Sequence, residues 1–93
     1  MRKIEEKMLQ AVAMRRDWSS GNTSVMVNYN GDVLVRLHGN LICRITKSKR
    51  VFSSCGWATN TTRSRLNALG CDCHIVKGEL VGHDGKPINA KLI

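Results

Sequence analysis

The chain has 93 residues, enough for one small domain over residues 1–93, and a domain of this size buries only about 60–65% of the surface that its unfolded chain exposes. Fifteen Lys and Arg against seven Asp and Glu give a formal net charge of +8, which points to a negatively charged partner. With 42% hydrophobic and 24% charged residues the composition is that of a folded globular domain, and no apolar run approaches the roughly 18 residues that a membrane-spanning helix needs.

Residues Arg2 to Arg16 read as a helix. Ile4, Met8, Ala11 and Val12 recur at spacings of three and four, with no Gly or Pro between them. A helix this short needs packing to persist, so the stripe is expected to cover a sheet. Asp17, Trp18, Ser19, Ser20, Gly21 and Asn22 break the pattern with turn formers, and Trp18 is expected to plug the helix onto that sheet.

From Thr23 the period changes to two. Val25, Val27 and Tyr29, then Val33, Val35 and Leu37, then Leu41, Cys43 and Ile45 all fall on odd numbers, which predicts three strands of an antiparallel meander sharing one core face. Residues opposite each other in an antiparallel pair lie on the same face, so a three-residue loop of Tyr29, Asn30 and Gly31 is required to pair Val27 with Val33. The same parity assigns His38, Gly39 and Asn40 to a three-residue loop that pairs Leu37 with Leu41. A fourth strand is expected from Val51 to about Cys55, with either Val51 or Phe52 facing the core.

Gly56 and Trp57 end the meander. A short helix follows, capped by Thr59 or Asn60, carrying Leu66 and Leu69 inward and stopping at Gly70. Cys71, Cys73 and Ile75 alternate again, and Glu79 to Ile88 reads as a hairpin around Asp84 and Gly85, with Pro87 suited to an edge. The fold class is α+β: an N-terminal helix, a four-stranded antiparallel meander, a short helix and a C-terminal β-hairpin. An exposed edge strand at the hairpin leaves a homodimer open.

Charge is placed unevenly. Between Asp32 and Asp72 there is no acidic residue, while Arg36, Arg44, Lys47, Lys49, Arg50, Arg63 and Arg65 all lie there and carry +7 of the total. Even parity projects Arg36 and Arg44 from the face opposite the Val and Leu row, and Lys47 to Arg50 sit at the end of the same strands. The expected result is one basic platform for phosphates, set against the plainer reading of a solvated face that keeps a small domain in solution. A second group, Trp57, Thr59, Asn60, Thr61, Thr62, Arg63 and Arg65, stands at a helix start, where backbone N–H groups and the helix dipole favour an anion. Capping alone explains the Ser, Thr and Asn there, with Trp57 packed in the core, but leaves the two arginines unexplained.

Other chemistry finds little support. Cys71, Cys73, His74 and His83 with Cys55 are the conceivable metal ligands, but Cys71 and Cys73 are one residue closer than a zinc knuckle spaces its thiolates, so no metal and no cofactor is expected. No paired carboxylates, no Ser, His and Asp arrangement and no Gly-rich phosphate loop appear, so no enzyme activity is expected either. No charged segment leads into an apolar one at the start of the sequence, which fits a reducing cytosol with Cys43, Cys55, Cys71 and Cys73 as free thiols.

The run from Gly56 through Trp57, Ala58, Thr59, Asn60, Thr61, Thr62, Arg63, Ser64, Arg65 and Leu66 to Asn67, with Gly21, Asn22, Thr23, Ser24, Val25 and Leu37, His38, Gly39, Asn40, resembles a family of short tailed-bacteriophage proteins. Their shared pattern is GNT-V, LHGN-I-A and GW-T-TT-SRLN, and the resemblance spans roughly residues 20 to 90. It departs at Gly82, His83, Asp84, Gly85 and Lys86, where the pattern has aromatic residues around a turn. The resemblance implies a viral accessory protein in the cytoplasm of a bacterial host and supplies no catalytic residues. Two roles are then expected as alternatives: binding nucleic acid through the basic face, with Trp57 stacking, or binding and modulating a bacterial host protein.

Overall fold

The computed structural model describes residues 2–89 and 92. Helix α1 (Lys3–Met14) lies inside the expected span and buries Glu5, Met8, Ala11 and Val12 on one stripe. It stops at Arg15, whose backbone enters the left-handed region at φ 50° while its N–H still reaches the Val12 carbonyl at 3.2 Å.

The turn formers after α1 conceal a strand. Trp18–Ser20 forms β1, antiparallel to β2 (Thr23–Val27), with Trp18 opposite Val25 and Ser20 opposite Thr23. Only Gly21 and Asn22 make the turn, with Gly21 at φ 57°. The sheet continues through β3 (Val33–Leu37), β4 (Asn40–Ile45) and β5 (Arg50–Phe52) in sequential order, so the meander has five strands instead of the expected four. Polar Ser19 and Ser20 are tolerated because an edge strand is held by its backbone ladder, while Trp18 alone packs against the core.

Parity describes the β2–β3 hairpin correctly. Val27 lies opposite Val33 and Val25 opposite Val35. The Asn28 N–H donates to the Asp32 carbonyl at 2.8 Å, which leaves Tyr29, Asn30 and Gly31 as the loop, and Gly31 takes φ 92°.

The β3–β4 hairpin departs from the expectation. Its turn has two residues, His38 and Gly39, both at positive φ (52° and 80°), the pattern of a type I′ turn, and Leu37 lies opposite Asn40. That register puts Leu41 opposite Arg36, on the wrong face. A bulge corrects it: pairing shifts between Val35 and Arg36, Ile42 is passed over, and Cys43 returns opposite Val35. Ile42 is consequently the buried residue, 1% exposed, and Leu41 is only half-buried.

In β5 Phe52 lies opposite Cys43 and packs against the core, whereas Val51 lies opposite Arg44 on the outer face. The strand ends at Phe52, short of Cys55, because Ser54 turns its N–H to the Ile88 carbonyl at 2.6 Å. Helix α2 (Asn60–Ala68) then joins α1 over the face that carries Val25, Val33, Val35, Cys43 and Ile45. Met8, Leu66 and Leu69 are fully buried there, each contributing on the order of 1.5–3 kcal/mol.

The C-terminal hairpin also differs from its reading. It is built from β6 (Cys73–Val76) and β7 (Glu79–Gly82) around Lys77 and Gly78, again both at positive φ (50° and 79°). The turn expected at Asp84 and Gly85 exists beyond it, closed by a single Val81–Pro87 bridge and by the Ile88 N–H on the Leu80 carbonyl at 3.0 Å. Asn67 ties this unit to α2, accepting from the Cys73 N–H at 2.9 Å and donating to its carbonyl at 3.1 Å.

Candidate functional site

The expected basic platform is divided by the packing of α2. Arg36 and Arg44 project from the outer face of the sheet, as parity requires. Leu66 and Leu69 can be buried only against the inner face, so α2 carries Arg63 and Arg65 to the opposite side of the sheet. The seven cations therefore do not share one surface.

Two of them are also neutralised from within. Arg65 is 3% exposed: its Nη1 lies 2.7 Å from Glu5 Oε2, and its Nε donates to Thr23 Oγ1 at 3.0 Å. Ser64 Oγ donates to the same carboxylate oxygen at 2.6 Å, which joins α1, α2 and β2 through one buried group. On the outer face Arg44 donates twice to Asp32 Oδ2, at 3.1 and 2.8 Å. Arg50 is exposed but donates through Nη1 to the Leu69 carbonyl at 2.8 Å, satisfying the C-terminus of α2. Among the described residues these are the only two ion pairs, so Arg36, Lys47, Lys49, Arg50 and Arg63 have no carboxylate partner there.

One end of the sheet collects two of these, Lys47 and Lys49, with further cations from α1. The β2–β3 loop and the β4–β5 turn lie at the same end, since Val33 pairs with Ile45. Arg15 joins them by donating from Nη1 to the Gly31 carbonyl at 2.7 Å. Exposed Lys47 and Lys49 thus stand at the same end as exposed Arg15 and Arg16, and Tyr29 projects from the loop tip fully exposed. Sequence reading left these arginines at a helix end and Tyr29 in a loop. The adjacent Arg15 and Arg16 after the last buried residue of α1 are the signal that could have placed them.

The opposite end holds a cleft of about 480 Å³, lined by Leu37, His38, Asn40, Ile42, Ser54, Trp57, Thr59, Thr61 and Thr62. Trp57 is 60% exposed here and is not a core residue. The turn before it explains why: Cys55 and Gly56 both take positive φ (52° and 82°), and the Trp57 N–H donates to the Ser54 carbonyl at 2.9 Å, which aims the indole outward. The cap of α2 is Thr59, whose Oγ1 accepts the Thr62 N–H at 3.1 Å; Asn60 is the exposed first residue of the helix. Buried Thr62 bonds Thr59 at 3.0 Å, and Thr61 faces the cleft.

All four cysteines are free. Burial pushes the Cys43 and Cys71 thiols up to about 12 and raises Cys73 as well, which keeps them protonated and unreactive. Half-buried Cys55 donates its thiol proton to the Leu41 carbonyl at 2.9 Å. Among the described residues no group of three or more His, Cys, Asp or Glu is placed to hold a metal ion, and no helix is long and apolar enough to cross a membrane.

Among known proteins, the family model described as Kyanoviridae Gp96 protein matches residues 1–88 of the chain. No curated protein and no solved structure matches the chain.

Proposed function

The chain belongs to the Kyanoviridae Gp96 protein family, a family of bacteriophage proteins, and from that premise we propose that it binds nucleic acid in the host cell through the cationic end of its sheet. The reading is of a binding protein without catalytic activity, working in the bacterial cytoplasm. One observation carries it: once the internal pairs of Arg44 and Arg65 are set aside, Lys47, Lys49, Arg15 and Arg16 remain exposed at one end with no ion-pair partner among the described residues. Phosphates attract such a group with no need for base-reading elements, and Tyr29 beside it offers a ring on which a base can stack. Arg36 extends the cationic surface along the outer face.

Fluorescence anisotropy with labelled oligonucleotides tests this. If three or four phosphates are neutralised, duplex affinity falls roughly 40- to 150-fold between about 50 and 200 mM salt. Lys47→Glu with Lys49→Glu removes about tenfold or more of the affinity and flattens the salt slope, whereas Arg63→Glu, on the other side of the sheet, leaves both nearly unchanged. Absence of salt-sensitive binding, or an equal loss in Arg63→Glu, overturns the reading. A host protein retained in stoichiometric amount after nuclease treatment supports the other role instead.

A further inference from the structure

We infer that the cleft beside Trp57 is a binding site for a nucleobase, supplied by a free nucleotide or by an unstacked strand. This goes beyond the cationic end and does not rest on it, since the two features occupy opposite ends of the sheet. The cleft volume of about 480 Å³ is within the range of small-molecule sites. Its floor is apolar, with Ile42 and Leu37 only 1% and 3% exposed, and one wall is the outward-facing indole of Trp57.

The polar lining narrows the ligand class. Thr59 and Thr62 are occupied with each other, but no other described residue engages the side chains of His38, Asn40 or Thr61, and each of these offers both a donor and an acceptor. No Lys, Arg, Asp or Glu lines the cleft. A carboxylate or phosphate group would meet no cation inside, and an aliphatic group would desolvate three polar side chains without replacing their bonds to water. A flat, uncharged heterocycle with donors and acceptors on its edge meets both conditions and stacks on the indole.

The backbone around the cleft is fixed in advance: the His38 N–H donates to the Asn22 carbonyl at 2.7 Å, the Trp57 N–H to the Ser54 carbonyl at 2.9 Å, and Thr59 caps the first turn of α2. The ordering left to a ligand is that of side chains alone.

The test is an NMR titration of the assigned protein with AMP, GMP, CMP and UMP in turn, and with ribose phosphate as the sugar-phosphate control. It is run at about 0.3 M salt, where exposed charges are screened beyond a few ångströms. Nucleotides are expected to shift the Trp57 indole, His38 and Thr61 resonances while ribose phosphate does not. Trp57→Ala, at an exposed position that leaves the core intact, weakens the nucleotide about tenfold or more, and Trp57→Phe weakens it less. A short single strand that shifts the same resonances when mononucleotides do not assigns the base to a strand. Equal shifts with ribose phosphate overturn the inference, as does the absence of cleft shifts with both nucleotide and strand. A strand that binds with a steep salt slope yet leaves the cleft unmoved overturns the nucleobase site and leaves the cationic end standing.

Discussion

Replacing Arg65 by Met isolates the group that joins the two helices to the sheet. The substitution keeps the apolar length of the side chain but removes the Nη1 contact at 2.7 Å to Glu5, whose side chain is 3% exposed. Glu5 keeps its bonds from Ser64 and the Arg2 N–H but loses its counter-charge while remaining buried. Breaking a buried pair from one side costs about 3–5 kcal/mol. A domain of this length holds roughly 5–14 kcal/mol in total, so the variant loses about a fifth or more of its stability and its Tm falls by roughly 12 to 40 °C. Urea unfolding followed by circular dichroism measures the loss. Adding Glu5→Leu to the same chain removes the orphaned charge and returns the protein to within about 2 kcal/mol of the wild type, the non-additive result of a coupled pair. The pH dependence carries a sign. Burial alone pushes the Glu5 carboxyl up; the bonds from Ser64, Arg65 and the Arg2 N–H, with the Arg65 charge, outweigh it and hold the group below the ordinary glutamate range. Its contribution is therefore complete above the unfolded value of about 4.3 and is lost as pH falls below it. In Arg65→Met the carboxyl loses the Arg65 bond and charge and is held down less, so protonation costs the variant less than the wild type and the deficit narrows as pH falls into the glutamate range. A loss under about 1 kcal/mol, or strict additivity with Glu5→Leu, refutes the assignment of this pair as the link between the elements.

Three further outcomes are expected. His38 holds φ 52° in the β3–β4 turn, so His38→Asn folds as well as wild type while His38→Val loses about 1–2 kcal/mol in urea unfolding, the left-handed backbone being costly for a β-branched residue. With the Cys43 and Cys71 thiols raised to about 12 by burial, the folded chain keeps protons that the unfolded chain gives up near pH 8.5, so stability is complete below that value and declines as pH rises toward 12. A thiol-reactive dye at about pH 8 then labels half-buried Cys55 in the native state and the other three only on unfolding; rapid native labelling of Cys43 refutes its burial.

The alternation of Val, Leu and Ile made the inner face legible, because side-chain direction in a strand follows from parity alone. Parity failed where it was asked to fix a loop length. At His38 and Gly39 it demanded three residues, but the type I′ turn takes two, and the bulge at Ile42 absorbs the difference. A bulge costs the sequence nothing visible, since Leu41 and Ile42 are equally apolar and either one can face inward. Strand β1 escaped for a related reason: three residues with two serines carry no period, and their pairing is fixed by β2 beside them. In the candidate site, the cap at Thr59 and the inward Leu66 and Leu69 were readable from local chemistry. The outward Trp57 was not, since its direction follows from the two positive φ angles at Cys55 and Gly56, and nothing in Cys marks it for that region.

Charge separates in the same way into a part that composition determines and a part that packing determines. Each internal pair removes one cation and one anion together, so burying Glu5 with Arg65 and pairing Asp32 with Arg44 leaves the net charge at +8. The field that draws a polyanion from a distance depends on that sum and survives both pairs. On the proposed reading, what the pairs change is which cations are left to meet a polyanion. They withdraw two arginines whose planar, five-donor heads fit a phosphate bidentately, while Arg15 and Arg16 keep such heads exposed at the same end as the two lysines of the β4–β5 turn. Contacts of this kind to a phosphate backbone position it and carry no sequence information, so on the proposed reading any selectivity for a base would come from the uncharged cleft at the other end of the sheet, with its outward indole.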